Sequence, residues 1–285
     1  MKSNLLFPPV FKIIGFTLAV AGLVLGYIFV YSDLVISFLD YGHGNLTDEL
    51  GTTLEITGLI FIGFSRLKNE SDLTGRLRLN ALYWAVLADC LLVSLFWIIQ
   101  YIGYTFKALV IMQHNFSTAV VEYNLFIPLF LFTGRFWYLR YRSKKGKQNK
   151  VLNLLPHTPY NQIGKITSIS FIILGVAITI PLFKISNDYS DAFILFLPCL
   201  LLWLWSQEKN EIGAIKKVRL KAMQIAVYIN YSLVLIATWV YYGIEYWVIL
   251  NIFLVSLQVI FIIVFYYQLF RLRKKHSKKI GLTSI

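Results

Sequence analysis

The sequence predicts an all-α integral membrane protein of about eight transmembrane helices, arranged as two parallel four-helix repeats with both termini in the cytoplasm. Three observations predict it. The apolar residues come in long blocks, the basic residues gather in every second segment between those blocks, and one stretch of the first half recurs in the second.

The first observation sets the class. The 285 residues are 58% hydrophobic and only 14% charged, with a mean hydropathy of +0.65. A soluble domain of this length carries roughly 25% charged residues. Apolar runs without helical or strand alternation are the pattern of helices immersed in lipid.

In the first half the blocks are Phe11–Tyr31, Leu50–Ser65, Leu79–Tyr101 and Ala119–Tyr138; in the second they are Ile163–Leu182, Ala192–Trp205, Ala222–Tyr242 and Tyr246–Phe270. About 20 residues at 1.5 Å each cross a hydrocarbon core of about 30 Å, so most are long enough. The second block of each half is short, and it is interrupted by Gly51, Gly58 and Gly63 in one half and by Pro198 in the other. The first block follows Phe7-Pro8-Pro9 and lacks a small-x-small cleavage site, so it reads as a retained span. Aromatics such as Trp97, Trp137, Tyr138, Tyr141, Trp239 and Tyr242 fall at block ends, where headgroup-level belts form.

The charges supply the orientation. The net charge of +13 is concentrated at the start of the chain (Lys2, Lys12), after the second block (Arg66 to Arg78), after the fourth (Arg135 to Lys165), after the sixth (Lys209 to Lys221) and in the tail (Arg271 to Lys279). The alternate segments hold Lys107 and Lys184 against Asp33, Asp40, Asp48, Glu49, Asp188, Asp191 and Glu245. Basic loops stay cytoplasmic, which puts both ends on the inner side of the membrane. The expected partner of this charge is a bilayer with anionic headgroups, and no soluble domain exists to carry nucleic-acid binding.

The repeat divides the chain into residues 1–145 and 146–285. Ser65-Arg-Leu-Lys-Asn-Glu70 reappears as Ser206-Gln-Glu-Lys-Asn-Glu211, and in that register Arg78 falls on Arg219, Ala85-Val86 on Ala226-Val227 and Asp89 on Asn230. Each copy holds an even number of spans, so the copies share one orientation, related by an axis along the membrane normal. Arg140–Gln162, with Gly146, Pro156 and Pro159, reads as the cytoplasmic linker between them.

Asn45-Leu-Thr-Asp-Glu-Leu50, Phe64-Ser-Arg-Leu-Lys-Asn-Glu70, Arg76-Leu-Arg-Leu79 and Tyr123-Asn-Leu-Phe126 through Arg135-Phe136 resemble a small four-span membrane protein family found in Bacteroidetes. That family is marked by an Asn-x-Thr-Asp-Glu stretch and a Ser-Lys-Glu-Lys-x-Glu-Asp-Glu cytoplasmic loop. The resemblance implies lineage and topology and carries no mechanism. The chain departs from it as a tandem duplication, with Ser71-Asp72 and Ile212-Gly213 where the loop is more acidic.

No metalloprotease, nucleophile-elbow, phosphate-loop or Cys-x-x-Cys motif occurs. The four histidines, His43, His114, His157 and His276, are scattered through loops and the tail, so no metal or other cofactor is expected, and no enzyme. Cys90 and Cys199 sit inside apolar blocks as small packing residues.

Three carboxylates do stand out: Glu122 near an outer helix end, and Glu55 and Asp89 deeper in their blocks. Ionised groups in a bilayer cost about 2.5–3.5 kcal/mol on insertion scales. Glu55 and Asp89 each lie roughly 15 Å from the cytoplasmic side at 1.5 Å per residue, which makes them a candidate pair for sharing a proton or a cation. Gly51 and Gly58 share the Glu55 face, so another helix can approach it closely. The alternative is that both acids are protonated and serve packing alone.

The repeated loops Lys68-Asn69-Glu70 and Lys209-Asn210-Glu211 are candidate docking surfaces for a cytoplasmic protein. The simpler reading is a helix-hairpin turn, with Asn69 or Ser71 capping the following helix. Two functions follow. One is a non-enzymatic module that senses or scaffolds through its cytoplasmic loops; the other is a small transporter or proton-coupled permeation unit using Glu55 and Asp89.

Overall fold

The computed structural model describes residues 5–32, 36, 46–68, 70–105, 121–147, 154–179, 190–209, 211 and 213–283. These residues are helical almost throughout and contain no strand. The α-helices are α1 (Phe11–Ser32), α2 (Thr47–Phe64), α3 (Asp72–Thr105), α4 (Ile127–Lys144), α5 (Gln162–Thr179), α6 (Ser190–Trp205), α7 (Gly213–Val240) and α8 (Gly243–Thr283). A short π-helical turn, His157–Asn161, precedes α5.

Local chemistry explains the ends. Pro8 and Pro9 have no N–H to donate, and α1 starts after the turn they form with Val10. The Ser71 hydroxyl accepts from Thr74 N–H at 3.2 Å and so caps α3. Pro128 opens α4, where its missing N–H costs nothing. At the other end of α4, Gly146 adopts φ 69°, while Lys147 N–H reaches Arg142 C=O and Gly146 N–H reaches Ser143 C=O, at 3.2 and 3.1 Å. That six-to-one and five-to-two pair closes the helix and needs the left-handed residue that glycine supplies.

Helix extent differs from block extent in an instructive way. The third block was expected from Leu79 and the seventh from Ala222, yet the helices begin at Asp72 and Gly213. Hydropathy marks the apolar part of a helix and is blind to a polar first turn. Arg76, Arg78, Lys216, Lys217, Arg219 and Lys221 therefore stand on helices. The described residues of the expected linker Arg140–Gln162 are largely helical or hydrogen-bonded to a helix end; residues 148–153 lie outside the described residues. The linker's first residues complete α4, and Leu155 is tied to the end of α6 by Leu155 N–H to Trp205 C=O and Gln207 N–H to Leu155 C=O, each 2.9 Å.

Four helices are long and apolar enough to cross a membrane among the described residues: Phe11–Phe29, Asp72–Ile99, Gly213–Val240 and Glu245–Lys274. Large apolar side chains stand exposed along them, including Ile13, Phe16 and Val24 on α1 and Leu233 and Ile236 on α7. Such a surface needs an apolar solvent.

The chain packs as two compact units. One comprises Met1–Ala85, Val121–Asn149 and Val227–Leu254; the other comprises Val86–Val120, Lys150–Ala226 and Val255–Ile285. Each draws on both halves of the sequence. The division falls inside α3 between Ala85 and Val86 and inside α7 between Ala226 and Val227, in the same register that sets Ser206 on Ser65.

Within the first unit, α1 and α2 pack backbone to backbone. A Cβ on Gly22 would lie 2.6 Å from Glu55 N and 2.7 Å from Gly51 O, and one on Gly15 would lie 2.7 Å from Gly58 O. The helix expected to approach the Gly51–Gly58 face of α2 is thus α1. Dispersion between closely apposed backbones drives such association where lipid removes the hydrophobic term.

Candidate functional site

The polar residues best placed by the fold are two buried arginines, one in each unit. Arg78 is 1% exposed and Arg219 2%. Arg78 donates through Nη1 to Glu70 Oε1 at 2.9 Å and through Nη2 to Glu70 Oε2 at 3.1 Å. Its Nη2 also reaches the Ser65 carbonyl at 2.9 Å. The Glu70 carboxylate turns back on Leu67 N–H at 2.9 Å, and the guanidinium lies over the Phe136 ring at 4.8 Å.

Arg219 has the same partners in the same register. Its Nε and Nη2 donate to Glu211 at 2.9 and 2.7 Å, its Nη2 reaches the Ser206 carbonyl at 3.1 Å, and Glu211 accepts from Glu208 N–H at 2.9 Å. Its guanidinium lies over the Phe265 ring at 4.6 Å. Each clamp therefore holds the last carbonyls of one helix, the loop after it and the start of the next helix. Those carbonyls would otherwise be orphaned at a helix end. A planar fork carrying a fixed charge is the group suited to a carboxylate and a carbonyl together.

A short strand-like segment seals each clamp. Phe7 N–H donates to Phe64 C=O at 3.1 Å and Phe7 C=O accepts from Arg66 N–H at 2.9 Å. Leu155 does the same between Trp205 and Gln207.

The proposed docking residues divide accordingly. Glu70 and Glu211 face inward, with side chains 20% and 0% exposed, and their carboxylates are committed to the arginines. Lys68 and Lys209 are exposed at the loop surface. Asn69 and Asn210 lie outside the described residues. The turn reading holds for Ser71, which caps α3. The one sequence signal of the clamps is the spacing from glutamate to arginine, identical in Glu70–Arg78 and Glu211–Arg219. Arginines that mark orientation and arginines that bind carboxylates look alike as letters.

The second unit adds a polar chain beside its clamp. Lys165 Nζ meets Glu208 at 2.9 Å, the Tyr266 hydroxyl donates to the same carboxylate, and Trp203 Nε1 donates to Tyr266 at 3.1 Å. Burial alone would raise the Glu208 carboxyl. Hydrogen bonds from Tyr266 and Lys165 and the charges of Lys165 and Arg219 more than offset it, holding the carboxyl below its ordinary value.

Glu55 and Asp89 are both buried, at 8% and 3% exposure. Glu55 belongs to the first unit, on the α2 face that meets Gly22. Asp89 belongs to the second, where its Oδ1 has no hydrogen-bond partner among the described residues. Beside it, Ser94 and Gln258 are hydrogen-bonding neighbours of the Cys90 thiol. Cys90 and Cys199 are both free thiols. Among the described residues no group of three or more His, Cys, Asp or Glu is placed to hold a metal ion.

Helices of spanning length, an apolar exterior and buried polar clamps are the features of a helical membrane protein. No protein-family model, no curated protein and no solved structure matches this chain.

Proposed function

We propose that this protein is a non-enzymatic module of the bacterial cytoplasmic membrane, of about eight spans with both termini inside, that senses or scaffolds through its cytoplasmic loops. The observation that carries this reading is the pair of arginine–glutamate clamps. Each braces one lysine-bearing loop against two helix ends, so Lys68 and Lys209 are offered on rigid supports. A site built on rigid elements binds with less ordering cost than a free loop.

The matched clamps also support a tandem duplication, residues 1–145 and 146–285, and the lineage suggested by the Asn45–Leu50 and Ser65–Glu70 stretches. Under this reading the bilayer's anionic headgroups and a cytoplasmic protein are the partners. The test is a photo-crosslinking amino acid placed at Lys68 or Lys209 in intact membranes. Both positions should trap the same discrete protein, and a probe at lipid-facing Ile236 should not. Absence of any adduct specific to the loops sinks the scaffold reading.

The transport reading keeps one observation of its own, a carboxyl at Asp89 that is buried without a hydrogen-bond partner for Oδ1 among the described residues. Intramembrane acids are functional candidates by default because their burial is costly. In a proton- or cation-flux assay with reconstituted protein, Asp89→Asn and Glu55→Gln should each abolish flux. Wild-type flux retained in both variants removes these acids from any transport role.

A further inference from the structure

A second stretch recurs at the end of the fourth helix of each sequence half. Phe132-x3-Phe136-x-Tyr138-x3-Arg142-x-Lys144-Lys145 on α4 returns on α8 as Phe261-x3-Phe265-x-Tyr267-x3-Arg271-x-Arg273-Lys274. The phenylalanines face inward and are buried. The tyrosines face outward, 56% exposed at Tyr138 and 60% at Tyr267. In both helices the arginine one turn on folds back over the ring. Arg142 Cζ lies 5.9 Å from the centre of Tyr138, and Arg271 Cζ lies 5.9 Å from the centre of Tyr267.

The exposed face of α4 changes character along its length, from Phe130 and Leu131 through Tyr138 and Tyr141 to Lys144 and Lys145. That of α8 runs from Ile263 through Tyr267 and Phe270 to Arg271, Arg273 and Lys274. No acidic residue occurs in either helical stretch, and none of these basic side chains is ion-paired among the described residues. A guanidinium resting on an aromatic face keeps its N–H edge free, and that edge matches two oxygens of a phosphate. Apolar surface directly below it suits acyl chains, and exposed tyrosines sit at headgroup level.

We propose that Tyr138–Arg142 and Tyr267–Arg271 are two equivalent binding sites for the phosphate of an anionic phospholipid, one on each compact unit, with Lys145 and Lys274 contributing charge. The proposal rests on the membrane reading above and names the lipid contacts within it. The apolar stripe beneath each pair distinguishes a lipid from a soluble phosphate, which would leave that stripe uncovered.

Native mass spectrometry of the full chain, released from nanodiscs of mixed phosphatidylglycerol and phosphatidylcholine, provides the test. The wild type should retain two phosphatidylglycerol molecules in preference to phosphatidylcholine. Arg142→Gln or Arg271→Gln should each lose one, with about fivefold weaker retention at the altered site, since a basic group near an anionic surface is worth about 1 kcal/mol. Tyr138→Leu with Tyr267→Leu should weaken retention while leaving the charge intact. Equal retention of both lipids, or a double arginine variant that keeps both phosphatidylglycerols, would overturn the assignment. So would inorganic phosphate in detergent raising the melting midpoint as much as phosphatidylglycerol does. Ser143→Cys labelled by an impermeant maleimide separates the two readings. Labelling from the outer face breaks the inside orientation, whereas lipid retention tests the sites.

Discussion

The two arginine clamps share a register and differ in how completely they are sealed. Arg78 meets Glu70 end-on, leaves its Nε without a partner among the described residues and is joined to a side chain that is one-fifth exposed. Arg219 meets Glu211 side-on, which frees Nη1 for a further carbonyl, Leu204, at 3.2 Å. The side chain of its Glu211 is 0% exposed. Beside the first clamp the second copy's Glu208 and Tyr266 are replaced by Leu67 and Trp137. In both units a lysine lies over the fourth-helix aromatic, Lys12 over Trp137 at 4.2 Å and Lys165 over Tyr266 at 5.1 Å. The same skeleton thus carries an apolar surround in one copy and an ionic one in the other. A buried guanidinium tolerates either surround where a carboxylate and a carbonyl meet its charge.

The sharpest way to break the comparison is to remove each arginine. Arg219→Ala strands a fully buried Glu211 carboxylate and should destabilise the protein by about 3–5 kcal/mol. Arg78→Ala leaves Glu70 with access to water, so its cost should be smaller, about 2 kcal/mol. Unfolding in detergent, followed by the loss of helical circular dichroism, measures both. Equal losses would show that the difference in sealing has no energetic weight.

Close packing of the first two helices offers the next test. In the first unit Gly15 and Gly22 of α1 meet α2 backbone directly, and Gly58 of α2 meets α1. Gly58→Ala has no flexible side chain to push aside, only Gly15 O at 2.6 Å and the Ala19 backbone. It should cost about 1–3 kcal/mol. Gly134→Ala meets nothing within 4 Å on a helix surface, so it should be neutral or gain up to about 1 kcal/mol from helix propensity. The same unfolding measurement decides, and a Gly58→Ala protein as stable as wild type removes the close contact from the account.

Much of the fold was legible because lipid imposes a simple pattern. Each apolar block overlaps one of the helices among the described residues, although α4 begins at Ile127, well after the block expected from Ala119, and the glycines expected to admit a neighbour at Glu55 do admit α1. The site was less legible because charge has two uses that composition cannot separate. Arg66 and Arg78 both read as orientation signals, yet Arg66 is exposed and Arg78 is 1% exposed inside a carboxylate clamp. The repeat contained the answer in its spacing, since a glutamate in the loop is followed by an arginine at the same separation in both copies. Glu208 gave no such signal, because the first copy has Leu67 in its place and its partners Lys165 and Tyr266 are remote in sequence.

That ionic surround should also make the second clamp the acid-sensitive one. The Glu208 carboxyl is held below its ordinary value, so its stabilisation is full above the unfolded carboxyl's pKa and is lost as pH falls through the folded one. Melting midpoints should therefore drop on acidification below the usual carboxylate range. Glu208→Gln should flatten that slope, while substitutions at Leu67 should not, because no carboxyl titrates there. Tyr266→Phe removes one donor from Glu208 and leaves Lys165 in place, so it should cost about 1 kcal/mol at neutral pH. It should also shift the acid transition upward, since a carboxylate with fewer donors takes its proton more readily. A Tyr266→Phe protein with an unchanged acid transition would mean that Lys165 and Arg219 alone hold Glu208 ionised, and the two copies would then differ by charge and not by hydrogen bonding.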